Sequence, residues 1–259
     1  MLVEKAKYIV RVTSKVSSFA VFGIGSFVLG TAIFPLLHIL SGFSAKRFRK
    51  MTRYFISKSF VVFVKYIEIT GSMRLSVKHR EILKGAKSKV IVANHPSILD
   101  VVILISLVPN ADCIVKGALI ENKFISTIIR NLYIPNTLPF EKQLEMASGS
   151  MAEGNNLIIF PEGTRTRPGE PWAFKKGAAR FAIHSKSDVI PVYFGGNEKI
   201  GLRKHDKMLS HHPTERHFYD LEVLPQISVA EYLDMPSSKS AILLTDAMKV
   251  ALEQKHLNS

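Results

Sequence analysis

Two short stretches of the chain hold side chains that could do chemistry together. In the first, Asn94-His95-Pro96-Ser97-Ile98-Leu99-Asp100, the apolar run Val90 to Ala93 stops at a histidine, and an aspartate follows where the next apolar run begins. An imidazole titrates near neutrality and can take a proton from a hydroxyl, which is general-base work. A carboxylate on its other ring nitrogen would fix the tautomer and stabilise the imidazolium, and Asp100 is the nearest candidate. The spacing does not suit one helix face. It suits His95 on a strand-to-helix turn and Asp100 in the first helical turn, with Pro96 setting the bend. Alone, His-x4-Asp is a weak signal.

The second stretch, Leu157-Ile158-Ile159-Phe160-Pro161-Glu162-Gly163-Thr164-Arg165-Thr166-Arg167, is stronger, because a buried strand again ends in proline and a polar turn. Gly163 permits close backbone approach, Thr164 offers a hydroxyl, and Arg165 gives a fixed fork of donors for phosphate oxygens. Glu162 could pair with that arginine or accept a hydrogen bond from a substrate hydroxyl. Ser97 lacks the Gly-x-Ser-x-Gly turn of a strained nucleophile, so it reads as a helix cap or a plain polar contact.

Elements that could carry these turns follow from the apolar pattern. Strand-like runs at Val90–Ala93, Cys113–Val115, Leu157–Phe160, Val189–Phe194 and Phe218–Leu224 alternate with helical stretches near Ile98–Leu107, Phe124–Leu132, Glu141–Glu153, Phe174–His184 and Ser238–Glu253. Continuous apolar strands imply a sheet buried on both faces, so the fold class is α/β, a central mostly parallel sheet flanked by helices. The two polar turns then leave strand ends on the side where such folds place ligands. Residues 199–216, rich in Lys and His, read as an exposed loop, and the spacing of His205, His211, His212 and His217 matches no metal-ligand pattern. Trp172 reads as an anchor for the helix that follows it.

The chain has 259 residues, 47% hydrophobic and 22% charged, which excludes a disordered protein. Thirty-five Lys and Arg against 21 Asp and Glu give a net charge of +14, so an acidic partner is expected. The basic residues gather beside apolar segments, which favours a phospholipid surface over nucleic acid. Lys5, Lys7, Arg11 and Lys15 form a turn-rich basic approach to Ser17–Leu40, a segment without formal charge that is long enough to cross a bilayer. Gly23-x-Gly25 within it reads as close helix packing. Lys46-Arg47-Phe48-Arg49-Lys50 and Arg53 suit the headgroup layer, and Tyr54–Tyr66 reads as an interfacial helix packed on the first. Two parts follow: membrane-attachment helices in residues 1–66 and an α/β domain in 67–259. Cys113, the single cysteine, allows no intramolecular disulfide and reads as a buried strand residue.

Asn94-His95-x4-Asp100 followed by Phe160-Pro161-Glu162-Gly163-Thr164-Arg165 resembles the lysophospholipid acyltransferase family, which includes bacterial 1-acylglycerol-3-phosphate acyltransferases. The resemblance covers roughly Ile67 to Leu224, and Phe174-Lys175-Lys176-Gly177 and Val189-Ile190-Pro191-Val192 resemble its later motifs. It implies a glycerolphosphate acyltransferase-like fold. It also implies acyl transfer from a thioester, acyl-CoA or acyl-carrier protein, to a lysolipid hydroxyl without an acyl-enzyme or further cofactor. His95 would be the base, Asp100 its orienting partner, and Glu162, Gly163, Thr164 and Arg165 the acceptor-binding turn. The implied location is the cytoplasmic face of a bacterial inner membrane.

One position departs from the family pattern. Leu132-Tyr133-Ile134-Pro135-Asn136 has Asn136 where the family carries an arginine for the acceptor phosphate; Lys116, at a basic family position, or Arg130 would have to supply the charge. Two rival readings remain at this level: a membrane-tethered lipid-binding or scaffolding protein on the same fold, and a thioesterase in which His95 activates water.

Overall fold

The computed structural model describes residues 2–108, 110–117, 121 and 133–258. Helix α1 (Leu2–Val28) runs through a π-helical turn, Leu29–Ile33, into α2 (Phe34–Leu40). Pro35 lacks an amide donor, and the widened turn just before it accommodates the missing hydrogen bond. The turn-rich start expected from the basic residues is therefore helical. Arg11 and Lys15 are buried in it rather than left at a lipid boundary. Lys15 Nζ donates to the carbonyls of Gly201 (3.0 Å) and Ser210 (2.7 Å), and Arg11 Nη2 donates to Pro213 O.

Helix α3 (Ala45–Ile69) takes in both the basic block and the second apolar stretch. Its buried face repeats at helical spacing through Ile56, Phe60, Phe63 and Ile67. It meets the first helix through Phe22, whose ring lies 5.3 Å from that of Phe63 and 6.2 Å from that of Phe60. Aromatic rings carry this contact, not glycines. A Cβ built on Gly23 or Gly25 would meet nothing within 4 Å, which corrects the close-packing expectation.

The sheet comprises β1 (Met73–Lys78), β2 (Val90–Ala93), β3 (Ala111–Val115), β4 (Ile134–Pro135), β5 (Asn156–Ile159), β6 (Val189–Gly196) and β7 (His217–Val223), in the order β1-β7-β6-β2-β5-β3-β4. Every neighbouring pair is parallel except β6 with β7. Helices α4 (Arg80–Gly85), α5 (Asp100–Leu107), α6 (Phe140–Ala152), α7 (Gly177–Ser185), α8 (Ala230–Leu233) and α9 (Ser237–Leu257) complete the described elements. The expected helix Phe124–Leu132 lies outside the described residues.

Strand alternation divides the core. Ile91, Ala93, Cys113, Ile158 and Ile190 face α3 and α5, while Val90, Val92, Leu157, Ile159 and Val189 face α6, α7 and α9. Both faces are covered, as the continuous apolar runs imply. Phe34, Leu37, Ile56 and Phe60 of the N-terminal helices belong to the same cluster as Ile91 and Leu104.

Arg53 is not at a headgroup layer either. Its guanidinium is buried and forks onto Asp112 of β3, Nε to Oδ1 at 2.7 Å and Nη2 to Oδ2 at 2.9 Å, with Ser150 Oγ beside them. A buried carboxylate stripped of its cation is costly, whereas replacing both charges by apolar groups is much less so. Arg53→Met is expected to cost about 3–5 kcal/mol in denaturant unfolding, and Arg53→Met combined with Asp112→Leu to recover most of that.

Candidate active site

Strands β2 and β5 are parallel neighbours, with Val92 opposite Ile159, so their carboxyl ends deliver the two polar turns side by side. Asn94 ends β2 by imitating a strand partner: its Nδ2 donates to Phe194 O (3.0 Å) and its Oδ1 accepts from Phe194 N (2.7 Å). The chain then leaves the sheet at His95, and α5 opens on Asp100, a carboxylate at the positive end of the helix.

Asp100 is completely buried, and its oxygens are met by three donors. Oδ2 accepts from His95 Nδ1 at 2.8 Å and from Ser97 N at 2.6 Å; Oδ1 accepts from Ser97 Oγ at 2.5 Å. An ionised carboxylate only accepts, so this network places a ring proton on Nδ1, and in the neutral imidazole the lone pair then lies on Nε2. Nε2 has no protein partner among the described residues. The His95 side chain is 16% exposed, and Phe160 covers one ring face with its centroid 4.3 Å away.

Ser97 is fully buried and serves Asp100, which removes it as a nucleophile and fits the polar-contact reading. Its hydroxyl lies 2.6 Å from that of Tyr219 in β7. Since the one Ser97 proton goes to Asp100, the Tyr219 hydroxyl donates to Ser97. Burial pushes the Tyr219 phenol well above its usual range, keeping it a donor. Lys199 Nζ sits 4.6 Å from the Tyr219 ring centroid and donates to Gly195 O (3.2 Å) and Phe218 O (2.7 Å). Burial lowers this ammonium to about 8. Neither residue was signalled by the sequence. Tyr219 is one inward position of an alternating strand, and Lys199 opens a segment that reads as exposed.

Glu162 joins the two turns. Its Oε1 accepts from His95 N at 2.8 Å and its Oε2 from Thr166 Oγ1, while Thr166 N donates to His95 O at 3.2 Å. Burial raises its carboxyl above the usual value. It pairs with the turn, not with Arg165. Arg165 instead donates Nη1 to the carbonyls of Leu202 and Arg203 (3.0 and 3.1 Å), holding the loop after β6 against the site. Gly163 takes φ +68°, and a Cβ there would lie 3.1 Å from Lys175 Nζ.

A cleft of about 470 Å³ opens over His95 and Glu162 and is lined further by Arg167, Trp172, Lys199 and His256. Gly163, Thr164 and Arg165 are not among its lining residues. Lys116 lies just past β3, exposed, beside Asn136, whose Oδ1 accepts from Gly117 N at 3.1 Å. Arg130 lies outside the described residues. Trp172 stacks on Phe174 and anchors the approach to α7, besides forming one cleft wall.

The loop 199–216 lacks regular structure, as expected, but it is not simply solvated: Lys199, Leu202 and His211 are buried because Arg11, Lys15 and Arg165 hold its carbonyls. The rings of His211 and His217 pack 4.4 Å apart.

A family model described as "Acyltransferase" matches residues 74–195. A human 1-acyl-sn-glycerol-3-phosphate acyltransferase beta is 28% identical over 141 residues, 51% of this chain and 50% of that protein. A probable 1-acyl-sn-glycerol-3-phosphate acyltransferase of Mycoplasma pneumoniae is 28% identical over 206 residues, 74% of this chain and 76% of that one. The crystal structure of the 1-acyl-sn-glycerophosphate acyltransferase PlsC of Thermotoga maritima superposes with a TM-score of 0.67 at 19% identity, covering 96% of this chain and 98% of that chain. The chain thus spans the fold of that structure and about half the length of the human relative.

Burial, reinforced by His211 and Lys15, pushes the His217 imidazole down to about 3. Its folded value lies below its unfolded one, so as pH falls the unfolded chain binds the proton first. The stability is present above about 6.5 and is lost as pH falls towards 3. Between pH ~7 and ~5, wild type should lose about 2 kcal/mol more than His217→Phe in denaturant unfolding.

Proposed function

Since the chain belongs to the acyltransferase family, we propose that it moves a fatty acyl group from a thioester, acyl-CoA or acyl-carrier protein, to the free hydroxyl of a lysophospholipid or related glycerolipid. The observation that carries this reading is the His95–Asp100 contact, made through Nδ1 by a histidine that lines the cleft.

In the proposed reaction the acceptor hydroxyl gives its proton to Nε2 as its oxygen attacks the thioester carbonyl. Asp100 stabilises the imidazolium that forms. The tetrahedral intermediate then collapses with loss of the thiolate, which takes the proton back from Nε2. No group on the enzyme is acylated, in keeping with the burial of Ser97. Arg167, exposed on the cleft wall, is assigned to the acceptor phosphate, and the turn Glu162–Arg165 acts on the acceptor side by position, Glu162 joining it to His95 and Arg165 bracing the Leu202–Arg203 loop. Lys116, exposed beside Asn136, is assigned the cation that Asn136 does not supply.

We place this chemistry at the cytoplasmic face of a bacterial inner membrane. The helix Lys5–Leu40 is long and apolar enough to cross a bilayer, with a mean hydropathy of 2.0 over its most apolar window.

His95→Ala is expected to lower kcat by about 10²–10⁴-fold in a lysolipid panel read by mass spectrometry, with an unchanged circular dichroism spectrum. Unaltered turnover would overturn the assignment of the base. Thioester consumed at the same rate without acceptor would identify a thioesterase instead.

A further inference from the structure

The loop between β6 and β7 carries a feature that the proposed reaction does not use. Met208 and Leu209 stand 58% and 57% exposed at its tip. Among the described residues between Leu99 and Tyr232 they are the only large apolar side chains so exposed. Two adjacent apolar side chains held out from a polar loop call for a partner surface.

The position of the tip along α1 identifies that surface. Leu209 immediately precedes Ser210, whose carbonyl accepts from Lys15 Nζ at 2.7 Å. Lys15 lies two residues before the uncharged run Ser17–Leu40, about 3 Å of helix rise. On α1, Ile9, Val10 and Val16 are exposed around the same level. The buried contacts of Arg11 and Lys15 fix the loop to that part of the helix.

The charges beside the tip point the same way. Asp206 is taken up by Arg203, Nε to Oδ2 at 2.9 Å, and by the amide of Gly201 at 2.6 Å. Lys204 and Lys207 have no acidic partner among the described residues. The tip therefore offers two apolar side chains flanked by unneutralised ammonium groups, a pattern that suits insertion among anionic headgroups.

We infer that Met208 and Leu209 form a second membrane contact, a wedge that enters the headgroup layer of a bilayer containing anionic lipid. The inference rests on the membrane attachment of α1 proposed above. The same loop supplies Glu198, Lys199 and Arg203 to the cleft, and Leu202 O accepts from Ile98 N of the catalytic turn at 3.0 Å. The wedge thus sets the mouth of the cleft at headgroup level, where a bilayer-held acceptor can enter without leaving the lipid.

The test uses full-length protein in which Trp172, the single tryptophan, is replaced by phenylalanine. One new tryptophan is introduced at a time by Leu209→Trp, Ile24→Trp or Val250→Trp, and each protein is placed in phosphatidylcholine–phosphatidylglycerol nanodiscs with and without brominated acyl chains. Blue-shifted emission and bromine quenching are expected for the Ile24 and Leu209 variants and not for Val250, which is exposed on α9. Quenching at position 24 without quenching at 209 would overturn the wedge and leave the α1 attachment standing. Failure at both would overturn both, and equal quenching at 250 would show that no particular face meets the lipid. Quenching at 209 that is the same in pure phosphatidylcholine would overturn the role given to anionic lipid.

Discussion

A carboxylate with no solvent exposure survives in a protein only where donors replace its water, and Asp100 sets that demand on everything around it. The amide of Ser97 supplies one donor, which requires the chain to turn tightly between β2 and α5. The Ser97 hydroxyl supplies another and is itself steered by Tyr219 of β7. His95 supplies the third, and in doing so its ring is fixed with Nε2 uncommitted. The His95 ring, the proposed base, is therefore oriented by the folding of a buried charge, not by a flexible surface pair. The start of α5 adds a favourable field to the same carboxylate.

Glu162 extends that constraint to the neighbouring strand. Accepting from His95 N and from Thr166, it stitches the β2 and β5 turns into one unit, and a buried carboxylate with both oxygens engaged resists separation of the two. Arg165 continues the chain of contacts to the Leu202–Arg203 carbonyls, and Lys15 and Arg11 continue it from that loop to α1. The N-terminal helix is thus connected to the His95 turn by hydrogen bonds as well as by the shared apolar core.

Much of the fold could be read from the chain because β2, β5 and β6 are short continuous apolar runs, and a strand buried on both faces is what such a run between turn residues most readily forms. Strand β1 escaped because Arg74, Ser76 and Lys78 give it the look of a polar segment at the sheet edge. His95, Asp100 and Glu162 were legible from strand ends followed by proline and ionisable residues. The partners Tyr219 and Lys199 were not, since they reach the site only through the antiparallel pairing of β7 with β6. Arg11, Lys15 and Arg53 misled for a related reason: a cation beside an apolar segment looks the same in sequence whether it meets a headgroup or a buried acceptor. Asp112 and the carbonyls of the 199–216 loop are remote in sequence, so only the folded chain tells the two cases apart.

Asp100 acts in the proposed reaction through His95, holding the imidazole and stabilising its charged form without touching the acceptor. Asp100→Asn isolates that role, because the amide preserves shape while removing the charge. Steady-state kinetics of this variant should show a kcat lower by about 10²–10⁴-fold, an acceptor KM close to wild type and a retained fold by circular dichroism. A kcat that stays at the wild-type value, or a loss expressed only in KM, would contradict it.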